Sequence, residues 1–138
     1  MAVIRQKDIP AGMQAYDDWV AAAEALARVD DDAPRTAIEP ALPRPTMAMA
    51  VRYSLYMLEQ KAPGPGVEVR VAPFGAIKIL DGPASDPHNL TPPDVIELTP
   101  ATWLRVASGI TSWYDEVDAG HVSAVGERDD LSPLLPLG

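Results

Sequence analysis

The sequence predicts an α+β domain carrying an extra helix at its N-terminus, and three observations lead there. Apolar residues recur at helical spacing up to about residue 60, and a two-residue alternation takes over at Val67. Beyond that point, segments of strand and helix character segregate rather than alternate strictly.

The first helix is expected over about 12–28, where Tyr16, Trp19, Val20, Ala23, Leu26 and Ala27 share one apolar face. Four prolines, Pro34, Pro40, Pro43 and Pro45, then fall within a dozen residues. Each fixes φ and removes a backbone donor, so 30–45 reads as an extended linker joining an N-terminal appendage, 1–29, to a main body, 46–138. The second helix is expected over about 46–60 with Thr46 as N-cap. Met47, Ala50, Val51, Ser54, Leu55 and Leu58 form one face, and Met49, Tyr53, Tyr56 and Met57 form another. A helix apolar on two sides must be covered twice. A sheet is expected as one cover, and the first helix, a partner subunit or a ligand could be the other. The first helix is expected there, within one chain or by exchange across a dimer.

After Gly64-Pro65-Gly66, residues Val67, Val69 and Val71 alternate with Glu68 and Arg70, as in a strand with one buried and one wet face. A second strand at 76–80 follows the short Pro73-Phe74-Gly75 connection, and the pair forms a hairpin. An irregular, Pro-rich stretch covers 81–93, and a third strand covers 94–98. Thr99 then caps a helix with Pro100 at its first position, ending at Gly109. A short helix from Thr111 or Ser112 to Ala119, closed by Gly120, leads to a last strand at 122–126 and a terminal helix at 129–135.

The composition is globular, with 47% hydrophobic and 22% charged residues in 138. No run approaches the roughly 18 apolar residues of a membrane-spanning helix. The N-terminus lacks the pattern of a signal peptide and there is no cysteine, so a cytoplasmic protein is expected. A net charge of −9, with 11 Lys and Arg along the chain, argues against nucleic acid and against anionic lipid surfaces. A monomer or homodimer is expected.

Catalytic chemistry has little support. No Ser stands in a Gly-flanked elbow, and no glycine pattern for phosphate or cofactor binding is present. The two histidines, His88 and His121, are far apart; Asp86-Pro-His88 reads as a turn, and His121 reads as a partner for free carbonyls at a helix C-terminus. Asp115, Glu116 and Asp118 read as a solvated face. What remains is apolar: Trp103 and Trp113 on consecutive helices, near Leu104, Val106 and Ile110. These side chains pack helices on a sheet, or they line a ligand cavity.

The segment Pro100-Ala-Thr-Trp103-Leu-Arg-Val-Ala-Ser-Gly109, then Trp113, Gly120-His-Val122-Ser-Ala-Val-Gly126 and Asp130-Leu131-Ser-Pro-Leu-Leu135, resembles the end of sterol-carrier (SCP-2-like) domains. Upstream, Ala50-Val51-Arg52-Tyr53-Ser-Leu55, Val67-Glu-Val-Arg-Val71, Pro73-Phe74-Gly75-Ala76 and Thr91-Pro92-Pro93-Asp94-Val95 look like the small bacterial branch of that family. The likeness covers about 46–137. It implies a twisted, mostly antiparallel sheet covered by helices on one face, no catalytic residues, and a cavity for an apolar small molecule such as a lipid, sterol or acyl chain. On that likeness the cavity wall is expected from Val51, Leu55, Phe74, Trp103, Val106, Leu131, Leu134 and Leu135. An accessory or protein-interaction module with a filled core is the alternative.

Overall fold

The computed structural model describes residues 2–30, 32–82, 94–126 and 128–137. Helix α1 spans Ile9–Val29 and α2 spans Arg44–Lys61. Strands β1 (Pro63–Val71), β2 (Gly75–Ile79) and β3 (Asp94–Leu98) follow, then α3 (Pro100–Ser108), α4 (Trp113–Asp118) and β4 (Val122–Val125). The sheet runs β2-β1-β3-β4, with β1/β2 and β3/β4 antiparallel and β1/β3 parallel. This is the expected α+β arrangement. Its mostly antiparallel sheet includes one parallel pair, because the chain returns to β1's other edge after the hairpin.

The alternation in β1 works as expected: Val67, Val69 and Val71 are fully buried, beside Ile77 and Ile79 of β2 and Ile96 of β3. Glu68, Arg70, Lys78 and Glu97 lie on the opposite, wetter face, where Arg70 bridges Glu68 at 2.7 Å and Glu97 at 3.2 Å. Helix α2 rests on β1 and β2, and α1 packs along the other side of α2. The two-sided helix therefore gains both covers within one chain. Ala15, Trp19 and Ala23 from α1 join Val51, Leu55 and Leu58 in a single core, and the Tyr16 and Tyr53 rings meet with centroids 6.0 Å apart. Leu26 and Met57, expected in this contact, stay on the surface. The apolar faces diverge there, because small residues at Gly12, Ala15 and Ala23 set where the helices touch.

Several boundaries move for identifiable reasons. Helix α1 begins before Pro10 and α2 before Pro45, since proline suits the first turn. Pro43, not Thr46, holds the α2 N-cap position, and its carbonyl accepts from Met47 N–H at 3.0 Å. Gly64-Pro65-Gly66 belongs to β1, where it bulges between the pairs Pro63–Ile79 and Val67–Ile79. The terminal helix expected at 129–135 shrinks to a 3-10 turn, Ser132–Leu134. Pro136 disfavours helical geometry at Leu135, which is extended. The 30–45 stretch holds a 3-10 turn at Arg35–Ala37, and Ile38 reaches the core. The irregular stretch expected at 81–93 lies almost wholly outside the described residues. No helix among the described residues is long and apolar enough to cross a membrane.

The α1–α2 contact gives a direct test. A Cβ on Gly12 would sit 2.8 Å from Tyr53 Cβ and 2.9 Å from Ile4 Cδ1. Gly12→Val is expected to force the helices apart and to cost ~1–3 kcal/mol of overpacking, read as a lower melting temperature. An unchanged melting temperature would mean that the helices do not meet there.

Candidate functional site

Helix α3 has the predicted boundaries. Thr99 Oγ1 accepts from Thr102 N–H at 3.3 Å, and Gly109 ends the helix at φ +82°, a conformation costly for any residue with a side chain. So fixed, α3 turns Trp103, Leu104, Val106 and Ala107 into the core. The Trp103 indole N–H donates to Ser54 Oγ at 2.8 Å, and the Ser54 hydroxyl donates to the Ala50 and Val51 carbonyls of its own helix. This bond pins α3 against α2 and satisfies two polar groups that would otherwise be stranded in the core.

Of the eight residues expected around a cavity, Val51, Leu55, Trp103, Val106 and Leu131 are buried in the common core. Leu134 and Leu135 are half-buried against it. Phe74 is likewise half-buried against the core, at the hairpin turn near the start of α2 and outside the lining of the cleft at Val106 and Leu135. The Arg44 guanidinium lies 5.2 Å from its ring centroid, and its carbonyl accepts from Arg52 Nε at 3.0 Å. Val106 and Leu135 come together with Trp113, Tyr114 and Pro136 around an apolar cleft of about 300 Å³ between α3, α4 and the C-terminal segment. That segment is held by Leu137 N–H to the Ala107 carbonyl at 2.9 Å, by Lys61 Nζ to the Leu134 and Pro136 carbonyls at 2.7 and 3.4 Å, and by a hydrogen bond between the Tyr114 and Ser132 hydroxyls at 3.2 Å. Across the cleft the Tyr114 hydroxyl donates to Asp130 Oδ2 at 3.1 Å. Hydrogen bonds from the Ser132 side chain and backbone, and then from Tyr114, hold the Asp130 carboxyl below the usual range despite the opposing effect of desolvation.

Beside this cleft lies a polar cluster that the sequence reading missed. Glu116, expected on a solvated face, is wholly buried, and Arg105 on α3 is 3% exposed. Arg105 Nε donates to Glu116 Oε2 at 2.7 Å and Nη2 donates to Oε1 at 3.2 Å. Arg105 also donates to the Ile38 carbonyl at 2.8 Å and to Thr102 Oγ1 at 3.1 Å. Thr111 Oγ1 donates to Glu116 Oε2 at 2.7 Å, and His121 Nδ1 lies 2.7 Å from Oε1. His121 therefore engages a carboxylate through its ring, while its backbone N–H takes the Glu116 carbonyl at 3.0 Å. One clue was available. Ser112 and Asp115 form a capping box, which directs Asp115 to the helix start and turns Glu116, one position on, toward α3.

Burial pushes the Glu116 carboxyl up, but the bonds from Arg105, His121 and Thr111 outweigh it and hold the group below its ordinary value of 4.5. Among the described residues no group of three or more His, Asp or Glu side chains is placed to hold a metal ion. Asp86 and His88 lie outside the described residues.

Glu116→Gln leaves the Arg105 charge buried without its counter-ion, and is expected to cost ~3–5 kcal/mol in chemical denaturation at neutral pH. Because folding lowers the Glu116 pKa, its contribution is complete above about 4.5 and fades as pH falls through the lower folded value. The acid-side slope of stability against pH should therefore be shallower in the variant. Equal slopes would remove Glu116 from the account of acid sensitivity.

The family model described as "Bacterial SCP ortholog" matches residues 43–137. A search of curated proteins finds no match to the chain. The matched span runs from the residue before α2 to the C-terminal segment, and so takes in the sheet, the cleft and the buried ion pair. The chain belongs to the bacterial SCP ortholog family, a sterol-carrier-like group.

Proposed function

We propose that the protein binds and carries an apolar ligand, of lipid, sterol or acyl-chain type, and performs no chemistry on it. The observation that carries this reading is the cleft where Val106 and Leu135, far apart in sequence, share one apolar wall with Trp113 and Pro136. Its volume of about 300 Å³ lies at the lower end for small-molecule pockets. Its cover is a short segment tied down by few bonds, next to Leu131, Leu134 and Leu137 of the core's edge. Lifting that segment would extend the cleft inward along α3. In this reading 46–138 form the carrier unit, 1–29 an appendage closing the second face of α2, and 30–45 the connector.

An acyl chain gains ~0.8 kcal/mol per buried CH₂. About ten methylenes would therefore reach micromolar affinity without a charged contact. Selectivity between neighbouring chain lengths would be weak, because one methylene discriminates little.

The second reading, an interaction or accessory module, is favoured by a different observation. Val51, Leu55 and Trp103 leave no exposed surface, and Trp103 is already bonded to Ser54. Native mass spectrometry of protein taken from its own cells separates the two. A lipid-sized mass supports the carrier; its absence, together with no binding of a fluorescent fatty acid, supports the module. In the carrier, Leu135→Trp should fill the cleft from its half-exposed rim and weaken fatty-acid binding at least about tenfold, with the fold retained by circular dichroism. Unchanged affinity in that variant would remove the cleft as the binding site.

A further inference from the structure

A second, chemically different site lies around His121. Two clefts, of about 410 and 450 Å³, meet at Thr99, Gly120 and His121. The first runs past Leu98, Val122 and Glu97, and the second runs between α3 and Glu39 of the connector. The His121 side chain is 39% exposed, so it is open to solvent on one side while Glu116 holds it from the other.

That contact fixes which ring nitrogen carries the proton. Glu116 takes hydrogen bonds from Arg105 on both oxygens and from Thr111 on one. A carboxylate so engaged can only accept, so the 2.7 Å contact to His121 requires the proton on Nδ1. In the neutral ring Nε2 is then a bare lone pair, held in orientation by a buried carboxylate. Among the described residues Nε2 has no hydrogen-bond partner. The other charged groups around it divide in a useful way. Arg105 is engaged by Glu116, Thr102 and Ile38, and Arg70 is paired with Glu68 and Glu97. Glu39 is exposed and lines the second cleft. His121 Nε2 and the Glu39 carboxylate are thus acceptors a ligand can meet, beside the Ser123 and Thr36 hydroxyls, with Val122 and the mostly buried Leu98 lining the first cleft.

We propose that this double cleft is a second ligand site, in which His121 Nε2 accepts a hydrogen bond from a hydroxyl or ammonium group on a small molecule whose apolar body lies along Leu98 and Val122. It is separate from the cleft at Val106 and Leu135, so either site can fail without the other.

The test is nuclear magnetic resonance on the full chain, at a pH where the His121 ring is neutral, with benzyl alcohol, benzylamine and toluene as probes. His121→Gln identifies the ring signals. The ring should carry its proton on Nδ1. At least one donor-bearing probe should shift the ring and the amides of Thr99, Gly120 and Val122, with a Kd of about 1 mM. Toluene should bind at least about tenfold more weakly, as should the donor-bearing probe to His121→Phe. Ser123→Trp, on the exposed strand β4, should block the mouth without touching the Glu116 cluster. Benzylamine binding that weakens in Glu39→Gln identifies an ammonium group; binding of both donors, indifferent to that change, identifies a hydroxyl. A ring proton on Nε2, toluene binding as well as either donor, no probe shifting these signals, or affinity unchanged in both His121→Phe and Ser123→Trp would overturn the proposal.

Discussion

The ion pair between Arg105 and Glu116 constrains this structure more than any other contact. Both groups are out of water, and a charge in that position is tolerated only when its hydrogen bonds are complete. Completing them takes residues from four parts of the chain: Ile38 from the connector, Thr102 and Arg105 from α3, Thr111 and Glu116 around α4, and His121 just before β4. Elements that carry few large apolar side chains of their own are thereby fixed in relation to one another. The connector, rich in proline, is anchored at Ile38 rather than left as a spacer.

The same economy of contacts appears in α2. Its two apolar faces oblige it to sit between layers, with the sheet on one side and α1 on the other. The arrangement buries two indole N–H groups in the core: that of Trp103 is answered by Ser54, while Trp19 Nε1 has no hydrogen-bond partner among the described residues. Filling the centre in this way moves open space to the edges of α3. One edge, at Val106 and Leu135, is apolar; the other, at Thr99 and His121, mixes polar groups with apolar lining. Membership of a sterol-carrier-like family agrees with a binding role for the first. The second follows from the ion pair, since the carboxylate that completes Arg105 also orients the imidazole.

Local physics decided much of the fold, and those parts were legible residue by residue. Thr99 and Gly109 bound α3, Ser112 and Gly120 bound α4, and the Val67-Val69-Val71 alternation marks the buried face of β1. Each depends on neighbours within a few positions: a side chain reaching its own backbone, a φ only glycine adopts easily, a pleat with a period of two. Where two local rules competed, as with Thr46 against Pro45 or leucines against Pro133 and Pro136, the proline prevailed because its ring leaves no alternative geometry.

The sequence by itself thus determined the class of fold, most element limits, the need for two covers on α2 and the likeness to the sterol-carrier family. The tertiary structure alone decided which polar residues are buried, how β1 pairs with β3, and where open space remains. Glu116 shows the reason. In sequence it stands among Asp115 and Asp118 and looks solvated. Its burial depends on Arg105, Thr111 and His121 converging on it from elsewhere in the fold. Phe74 is a second case: half-buried at the rim of the core, its ring is also met by the Arg44 guanidinium of α2, a partner thirty positions away in sequence. Such placements are set by which elements meet in space, and no spacing along the chain encodes them.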